Sequence, residues 1–361
     1  MSVFGATTTD AVRFDEEARQ YDALLVLSFG GPEGPDDVRP FLENVTAGRN
    51  VPPERLDEVA EHYLHFGGVS PINAQNRSLI AALDAELQAH GPQLPIYFGN
   101  RNWHPFVTDT VRQMRDDGVA RALVFVTSAF SSYSGCRQYR EDVIRALEML
   151  ETETPAFDKL RVFYNHPGFI EPMIARTRAA LAQIPEERRS EARLVFTAHS
   201  IPHAMARHCA YEAQLREASR LIAAGVGVAD HILAYQSRSG PAHVPWLEPD
   251  ILDVLASLRE DGATDVVVVP VGFISDHMEI LFDLDTEAQD AASELGLNLI
   301  RAETVGTDPT FVRMIRHLIV ERMTASPDRP ALGNRGPNHD ICPLHCCLIG
   351  SNRPRASAAA G

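Results

Sequence analysis

Short apolar runs of strand length alternate along the chain with segments of helical periodicity. Helical patterns lie between the runs, for example over residues 78–88 and 212–224. Continuous apolar strands that alternate with helices indicate parallel sheets covered on both faces, so the pattern predicts an α/β protein. The predicted strands are "DALLVLSFG" (22–30), "LPIYFGN" (94–100), "ALVFVTS" (122–128), "RLVFTAHS" (193–200), "HILAYQS" (231–237), "DVVVVPVGF" (265–273) and "LNLIRAETV" (297–305).

The second half of the chain repeats the pattern of the first. "LSFGGP" and "TAHSIP" each end a first strand in a turn closed by proline, and "YFGNRNW" and "AYQSRSGPAHVPW" each end a strand in an arginine-containing loop followed by tryptophan. We therefore predict two similar Rossmann-like domains, each a doubly wound, parallel four-stranded sheet. The predicted divisions are a flexible extension (1–20), a first domain (21–165), a second domain (166–325) and a tail (326–361).

Composition and charge narrow the classes of function. The 361 residues carry a formal net charge of −16, which repels phosphate backbones and attracts cations, so nucleic acid is a poor partner. The sequence contains no run of about 18 apolar residues, so it predicts no transmembrane helix. The first residues lack the basic start and apolar core of a signal peptide. We expect a cytoplasmic protein without a transmembrane segment.

Acidic residues follow the last strongly apolar strand in "SDHMEILFDLDTEA". Glu279, Asp283 and Glu287 are spaced i, i+4 and i+8, which places them on one face of an α-helix. Such a row is more often a solvated face that complements the helix dipole. Here the preceding strand is buried and bulky apolar residues lie between the acids, so the row is a candidate path for cations or protons.

His199 stands at the end of another apolar strand, in "FTAHSIP". A single histidine there is more often a hydrogen-bonded structural residue. Ligands bind at the carboxyl ends of parallel strands, so His199 and Glu279 are expected to face one pocket. A neutral imidazole binds a metal or accepts a proton near neutral pH. Ser70, in "HFGGVSPIN", either donates to an anionic group or caps the following helix.

Five cysteines suggest a second kind of site. Cys342, Cys346 and Cys347 lie close together near the end of the chain. Four thiolates are the usual ligands of a [2Fe–2S] cluster, so Cys136 or Cys209 would supply the fourth. Zinc is an alternative, with His345 as a further ligand, and so are surface thiols or a vicinal disulfide. Spacing alone does not separate these alternatives.

Seven motifs together resemble the ferrochelatase family. The resemblance covers residues 21–320, and it implies a chelatase fold of two Rossmann-like domains around a porphyrin cleft. Among ferrochelatases the sequence is similar to the bacterial branch that inserts Fe²⁺ into coproporphyrin III, whose product is decarboxylated later to haem. The motifs are "LSFGGPEGP", "HFGGVSPIN", "YFGNRNWHP", "TSAFSSYSGCRQYRED", "FTAHSIP", "YQSRSGP" with "PWLEP", and "PVGFISDHMEILFDLD".

The resemblance assigns roles to the candidate residues. His199 and Glu279 match the two family residues that contact the metal or the pyrrole protons, and Asp283 and Glu287 continue the family's acidic relay. Which of His199 and Glu279 takes the proton and which holds the metal stays open. We expect the residues that contact the porphyrin to be Ser70, Tyr139, Phe29, Arg49 and Arg101.

Three positions depart from the pattern of some relatives. Phe29 stands where they carry a tyrosine that ligates the product's iron, so that ligation is expected to be absent. Their pair of propionate-binding arginines aligns with Thr46 and Ala47, and Arg49 and Arg101 are the candidate substitutes.

"CPLHCC" resembles the family members that carry a [2Fe–2S] cluster of structural or sensing role. In these members one internal cysteine joins three C-terminal ones, which here predicts the ligands Cys136, Cys342, Cys346 and Cys347.

Several alternatives stay open on the sequence. They are a protoporphyrin IX ferrochelatase, a cobalt chelatase, a tetrapyrrole or metal carrier that is not an enzyme, and an iron–sulfur electron carrier. The absence of a long apolar membrane-binding lip favours coproporphyrin III, which is the more water-soluble porphyrin. We expect a monomer whose partners are coproporphyrin III, Fe²⁺ and a downstream coprohaem decarboxylase.

Overall fold

Two parallel sheets of four strands form the framework of the protein. The computed structural model describes residues 13–48, 51–150, 154–241 and 243–350. Strand order is β2-β1-β3-β4 in the first sheet and β6-β5-β7-β8 in the second, so the two sheets share one topology and the α/β prediction is confirmed. The strands are β1 Ala23–Ser28, β2 Ile96–Asn100, β3 Arg121–Val126, β4 Ala156–Lys159, β5 Arg193–His199, β6 His231–Gln236, β7 Asp265–Val269 and β8 Asn298–Arg301.

Helices cover both faces of the two sheets. Two of the helical segments are π-helical, Tyr133–Arg137 and Asp283–Ala288, and each occurs in the connection that follows the third strand of its half. The α-helices are α1 Pro35–Val45, α2 Pro53–His65, α3 Ile72–His90, α4 Val107–Asp116, α5 Gln138–Glu148, α6 Pro167–Leu181, α7 Glu186–Arg189, α8 His203–Ala206, α9 Tyr211–Val226, α10 Ile251–Glu260, α11 Met278–Leu281, α12 Gln289–Leu295 and α13 Pro309–Thr324.

The central strands explain why the apolar runs are continuous. All residues of β1 and β7 are buried, because each strand has a paired neighbour on both sides and helices on both faces. At the end of β1 the chain turns at Gly30, which has a φ of +81°. A Cβ at Gly30 would lie 2.8 Å from the Cβ of Asn100, so this turn requires glycine.

Strand β4 was not among the predicted strands. Its four residues include Asp158 and Lys159, both of them buried, which interrupt the apolar pattern shortly before the predicted domain division at residue 165. Asp158 accepts a hydrogen bond from the Tyr21 hydroxyl at 3.0 Å and pairs with Arg322 at 3.3 Å. These partners are distant in the sequence, so a local pattern does not reveal that the charge is compensated.

One large apolar core joins the two halves. It contains Val26 of β1 and Phe196 of β5, together with residues of α6, α9 and α13. Helix α13 packs against both α3 and α6. The buried ion pair of Arg161 and Glu321, with Nε–Oε1 at 2.7 Å and Nη2–Oε2 at 3.0 Å, also links the first half to α13. The divisions at residues 165 and 325 stay predictions.

The described parts of the extension and of the tail pack against each other. Asp15, within the extension predicted to be flexible, is buried and pairs with Arg322 of α13. Its backbone amide donates to Asp340 at 3.2 Å, and Arg329 pairs with the same carboxylate at 3.1 Å. None of the helices in the described ranges is long and apolar enough to cross a bilayer.

Candidate active site and thiol cluster

The carboxyl ends of two neighbouring strands bring His199 and Glu279 together, as the sequence predicted. His199 is the last residue of β5, and Glu279 lies in α11, which follows β7. Their Nε2 and Oε1 atoms are 3.7 Å apart, and the two side chains are 34% and 39% exposed. The pair therefore has room to contact a ligand at the sheet edge.

The contacts of His199 define its tautomer. Its Nδ1 lies 2.5 Å from the carbonyl oxygen of Ser200, and a carbonyl only accepts, so Nδ1 carries the hydrogen. In the neutral form of this tautomer the lone pair is on Nε2, the atom that faces Glu279. The Tyr211 hydroxyl donates to the carbonyl of His199 at 3.0 Å and fixes the end of β5. His199 can therefore accept a proton or ligate a metal through Nε2.

His277 holds the other side of the Glu279 carboxylate. Its Nδ1 lies 2.6 Å from Oε2 of Glu279, and it is 13% exposed. The same nitrogen lies 3.3 Å from the backbone amide of Glu279, and we assign the shorter contact as the bond. Burial alone would raise the pKa of Glu279, but the attraction of His277 outweighs it and lowers this pKa to about 2.

Asp283 is a carboxyl group whose pKa lies near neutrality. Burial, together with repulsion from Glu279 and Glu287, raises its pKa to about 7, although the Ser237 hydroxyl donates a hydrogen bond to it. Burial also raises the pKa of the exposed Glu287. Of the three acids, Glu279 is therefore the one held firmly ionised, and Asp283 is the one able to exchange protons near pH 7.

The helix that carries the acids is not a regular α-helix, which corrects the basis of our spacing argument. From Asp283 to Ala288 it is π-helical, and the amide of Glu287 donates to the carbonyl of Phe282, five residues back, at 2.9 Å. A π-turn holds more than four residues, whereas an α-turn holds about 3.6. Asp283 and Glu287 remain near each other in this segment, and repulsion from Glu287 contributes to the raised pKa of Asp283.

Residues of the first half close the site from the opposite side. The rings of His62 in α2 and Phe282 stack with centroids 3.6 Å apart, and Gln75 of α3 accepts a hydrogen bond from the Asp276 amide at 2.8 Å. Glu279 is near enough to Tyr139 to raise the pKa of its buried phenol further. Candidate residues from both halves therefore meet at one site.

Two of the remaining residues predicted to contact the porphyrin, Arg101 and Phe29, lie close to each other, and Arg101 also lies close to Tyr139. The Arg101 guanidinium lies 5.2 Å from the ring centroid of Tyr139 and 5.8 Å from that of Phe29. It also pairs with the buried Asp142 at 3.2 Å, so its charge is compensated within the protein. Arg49 lies outside the described residues.

Ser70 lies where the two glycine turns meet. Its amide donates to the carbonyl of Pro32 at 2.9 Å, which joins the two turns. A Cβ at Gly31 would lie 2.8 Å from the Ser70 hydroxyl oxygen. The glycine therefore permits a close approach of backbone to Ser70, which the separate motifs did not reveal.

Four thiols form a second cluster, between the tail and the π-helical segment that contains Cys136. The Cys136 thiol contacts those of Cys342 and Cys347, whose hydrogen bonds hold its pKa well below the ordinary value. The sulfurs of Cys346 and Cys347 are 3.4 Å apart, which is too far for a disulfide of about 2.05 Å. The structure thus brings together the four cysteines that the resemblance implied.

Cys209 and His345, the alternative ligands considered from the sequence, are placed differently from the four clustered thiols. Cys209 directs its thiol to the carbonyl of Met205 at 3.5 Å, and His345 is exposed. A histidine that the sequence analysis missed, His339, lies with Cys342 and Cys346, and their ligand atoms are all within 4.8 Å of one another. Its proximity depends on the fold of the tail and has no sequence signal of its own.

The donor set suits a thiolate-bound metal group. Four sulfurs converge, and the cavity that they line is shared with the cationic side chains of Arg137, Arg140 and Lys159. Burial would lower the pKa of Lys159, but attraction to the cysteines outweighs it and raises this pKa. Positive surroundings stabilise thiolates, which are the form that binds metal. These residues therefore fit an anionic metal–thiolate centre.

Comparisons with known proteins agree with this geometry. The family model described as ferrochelatase matches residues 21–323. A protein from Rhodopirellula baltica named ferrochelatase is 54% identical over 339 residues, which cover 94% of this chain and 96% of that protein. A protein from Streptomyces griseus named coproporphyrin III ferrochelatase is 51% identical and covers 94% of this chain and 96% of its own.

Among solved structures, SirB from Bacillus subtilis with Fe³⁺ has a similar fold. Its TM-score is 0.55 at 13% sequence identity, and the match covers 87% of this chain and all of SirB. At this identity the likeness concerns the fold alone.

Proposed function

Since this chain belongs to the ferrochelatase family, we propose that it inserts Fe²⁺ into coproporphyrin III to form coprohaem. It is a metal chelatase, a lyase of haem biosynthesis. Curated coproporphyrin III ferrochelatases are 51% to 54% identical to it over most of its length. The observation that carries the proposal is the approach of His199 Nε2 to the ionised carboxylate of Glu279, at 3.7 Å.

Metal insertion requires bases as well as a cation site. Fe²⁺ replaces two pyrrole hydrogens, so two protons leave for each iron bound. We infer that His199 accepts a proton, because neutral imidazole is the stronger base near pH 7. Glu279, whose pKa is about 2, is too weak a base to compete and instead attracts the incoming cation. His277 keeps that carboxylate ionised and oriented.

The acidic residues beyond Glu279 connect this pair to solvent. Asp283 has a pKa of about 7, so it takes up and releases protons with little free-energy cost at neutral pH. Glu287 is exposed and lies one π-turn further along the helix. We infer that protons leave, or hydrated cations enter, along Glu279, Asp283 and Glu287.

Replacement of His199 tests the catalytic assignment. His199→Ala is expected to lower Fe²⁺ insertion by at least about 10²-fold, the usual range for a lost general base, while porphyrin binding measured by fluorescence stays near normal. His203→Ala makes the same change outside the candidate site and serves as the control. Near-normal turnover in His199→Ala would remove the assignment.

The choice of porphyrin is testable with one anaerobic assay. Fe²⁺ insertion should be faster with coproporphyrin III than with protoporphyrin IX, measured as kcat/KM on the same preparation. Ser70, Tyr139, Phe29, Arg49 and Arg101 are the residues that we propose for porphyrin contact. A preference for protoporphyrin IX, a preference for Co²⁺ with a more carboxylated tetrapyrrole, or tight binding without insertion would each favour the corresponding alternative.

We propose further that Cys136, Cys342, Cys346 and Cys347 hold a [2Fe–2S] cluster. The four converging thiols and the cations around them support this proposal. Such a cluster would supply a structural or sensing centre, since metal insertion needs no electron transfer. Cys136→Ser should abolish the visible absorbance and the iron and sulfide content, whereas the control Cys209→Ser should retain both. If zinc is found in place of iron and sulfide, the cluster assignment is wrong.

The setting of the enzyme is also a proposal. We propose that the chain acts as a monomer in the cytoplasm and passes coprohaem to a decarboxylase. Size-exclusion chromatography with light scattering would test the oligomeric state, and a measured mass of twice 39.8 kDa would contradict it.

A further inference from the structure

Lys159 is the only lysine among the 361 residues, although the chain carries 33 basic residues in total. It ends β4 and is 7% exposed. Lysine is rarely buried, since a desolvated ammonium costs several kcal/mol unless an anion compensates it. All other basic side chains counted among the 33 are arginines, and the single lysine ammonium lies inside the protein.

No carboxylate compensates Lys159 in the described ranges. Its ammonium donates one hydrogen bond, to the carbonyl of Leu160 at 2.8 Å, and forms no ion pair there. Asp158 is next in the chain but pairs with Arg121 and Arg322. Asp340 lines the same cavity but is bound by Arg329. The acids nearest to Lys159 are therefore committed to other cations.

The groups left to face Lys159 are the sulfurs. It lines one cavity with Cys136, Cys342, Cys346 and Cys347. A second buried cation, Arg140, lines the same cavity, is also 7% exposed and forms no ion pair among the described residues.

The compact ammonium suits this environment better than a guanidinium does. Arginine matches the planar fork of a carboxylate, whereas lysine presents a point charge with three hydrogens that can turn toward several sulfurs.

We propose that Lys159, with Arg140 beside it, is the built-in counter-ion of the group held by the four thiols. This inference rests on the proposed [2Fe–2S] site. An oxidised [2Fe–2S] core of charge about +2 bound by four thiolates has a net charge of about −2, which the two cations balance. Reduction adds one electron to this centre, and a nearby cation stabilises the added charge. Lys159 therefore favours the reduced form and raises the reduction potential of the cluster.

A redox titration of the full-length protein tests this role. One electron from dithionite reduces the cluster, and visible absorbance reports the reduced fraction. In Lys159→Met the ratio of reduced to oxidised cluster at a fixed potential should fall at least tenfold, equivalent to about 59 mV for one electron. Lys159→Arg, which keeps the charge, should recover most of that loss. Arg112→Met, which removes an exposed charge on α4, is the control and should match the unaltered protein. An unchanged potential in Lys159→Met would overturn the proposal.

A second measurement needs no substitution. Because the chain has one lysine, protein labelled with ¹³C at lysine Cε gives one side-chain resonance. Beside a [2Fe–2S] cluster this resonance should be broadened and shifted by the paramagnetic iron, and it should sharpen when a chelator strips the metal. An identical, sharp resonance in loaded and stripped protein would overturn the proposal. This test applies even if Lys159→Met fails to fold.

The two measurements separate this inference from the cluster assignment. If metal analysis finds zinc, the cluster proposal fails, but four thiolates around zinc also carry a net charge of about −2. The lysine resonance should then shift without paramagnetic broadening when zinc is removed, which would support the counter-ion role. An unmoved resonance would reject that role while leaving the metal identified.

Discussion

Asp283 provides the sharpest test of the electrostatics at the candidate active site. The ordinary pKa of its carboxyl is 3.8, and in the folded protein the pKa is about 7. Below pH 3.8 both the folded and the unfolded chain hold the proton. Between pH 3.8 and 7 only the folded chain holds it, so the free energy of unfolding falls as the pH rises. Above pH 7 the folded protein bears the full cost of a buried carboxylate.

The magnitude follows from the position of the two pKa values. One pKa unit corresponds to about 1.36 kcal/mol, so the interval from pH 5 to pH 7 is worth up to about 3 kcal/mol. Asp283 is only partly enclosed, and solvent in the open site screens its charge. We therefore expect roughly half of this, about 1–2 kcal/mol.

Asp283→Asn removes the charge and keeps the shape. The stability advantage of this variant over the unaltered protein should grow by about 1–2 kcal/mol between pH 5 and pH 8, measured by urea denaturation at both pH values. Asp290→Asn makes the same change at an exposed position on α12 and should show no such growth. An advantage that is independent of pH, or an equal growth in Asp290→Asn, would refute the reasoning. The more stable variant should also insert Fe²⁺ more slowly, because a functional group is often a stability cost.

Two further predictions concern the supports of the site and of the core. His277→Phe removes the cation that keeps the pKa of Glu279 near 2, so the pKa of the Glu279 carboxyl, followed by ¹³C NMR of labelled glutamate, should rise by at least about one unit. An unmoved pKa would mean that His277 does not control Glu279. Arg161→Met removes two hydrogen bonds from the buried carboxylate of Glu321 and leaves it only the more distant Arg329, at 3.9 Å, so it should lower the free energy of unfolding by about 3–5 kcal/mol. Arg112→Met should change it by less than about 1 kcal/mol. Equal melting temperatures for the two variants would contradict this account.

The sequence determined the framework because the relevant signals are local. Each half carries apolar runs that end in glycine, histidine or polar turns, and seven of the eight strands follow from those runs. The positions of His199 and Glu279 at strand ends also follow, since parallel strands deliver their carboxyl ends to one edge. The motif resemblance added the identity of the chemistry.

The features that the sequence did not reveal depend on distant partners. Strand β4 was missed because Asp158 and Lys159 interrupt its pattern, and their compensation comes from residues far along the chain. The sequence of the π-helical segment that begins at Asp283 does not differ in pattern from that of an α-helix. His277, as the group that holds Glu279 ionised, and His339, beside the thiols, acquire their surroundings only when loops and tail are folded.

The sequence by itself thus determined which elements form and which residues stand at their ends. The tertiary structure decided the charge states of those residues. A pKa depends on burial and on charges within a few ångströms, so identical carboxyl groups at Glu279 and Asp283 become one ionised at pH 7 and one poised to exchange a proton. The tertiary structure also decided that the single lysine lies beside four sulfurs, which spacing along the chain does not show.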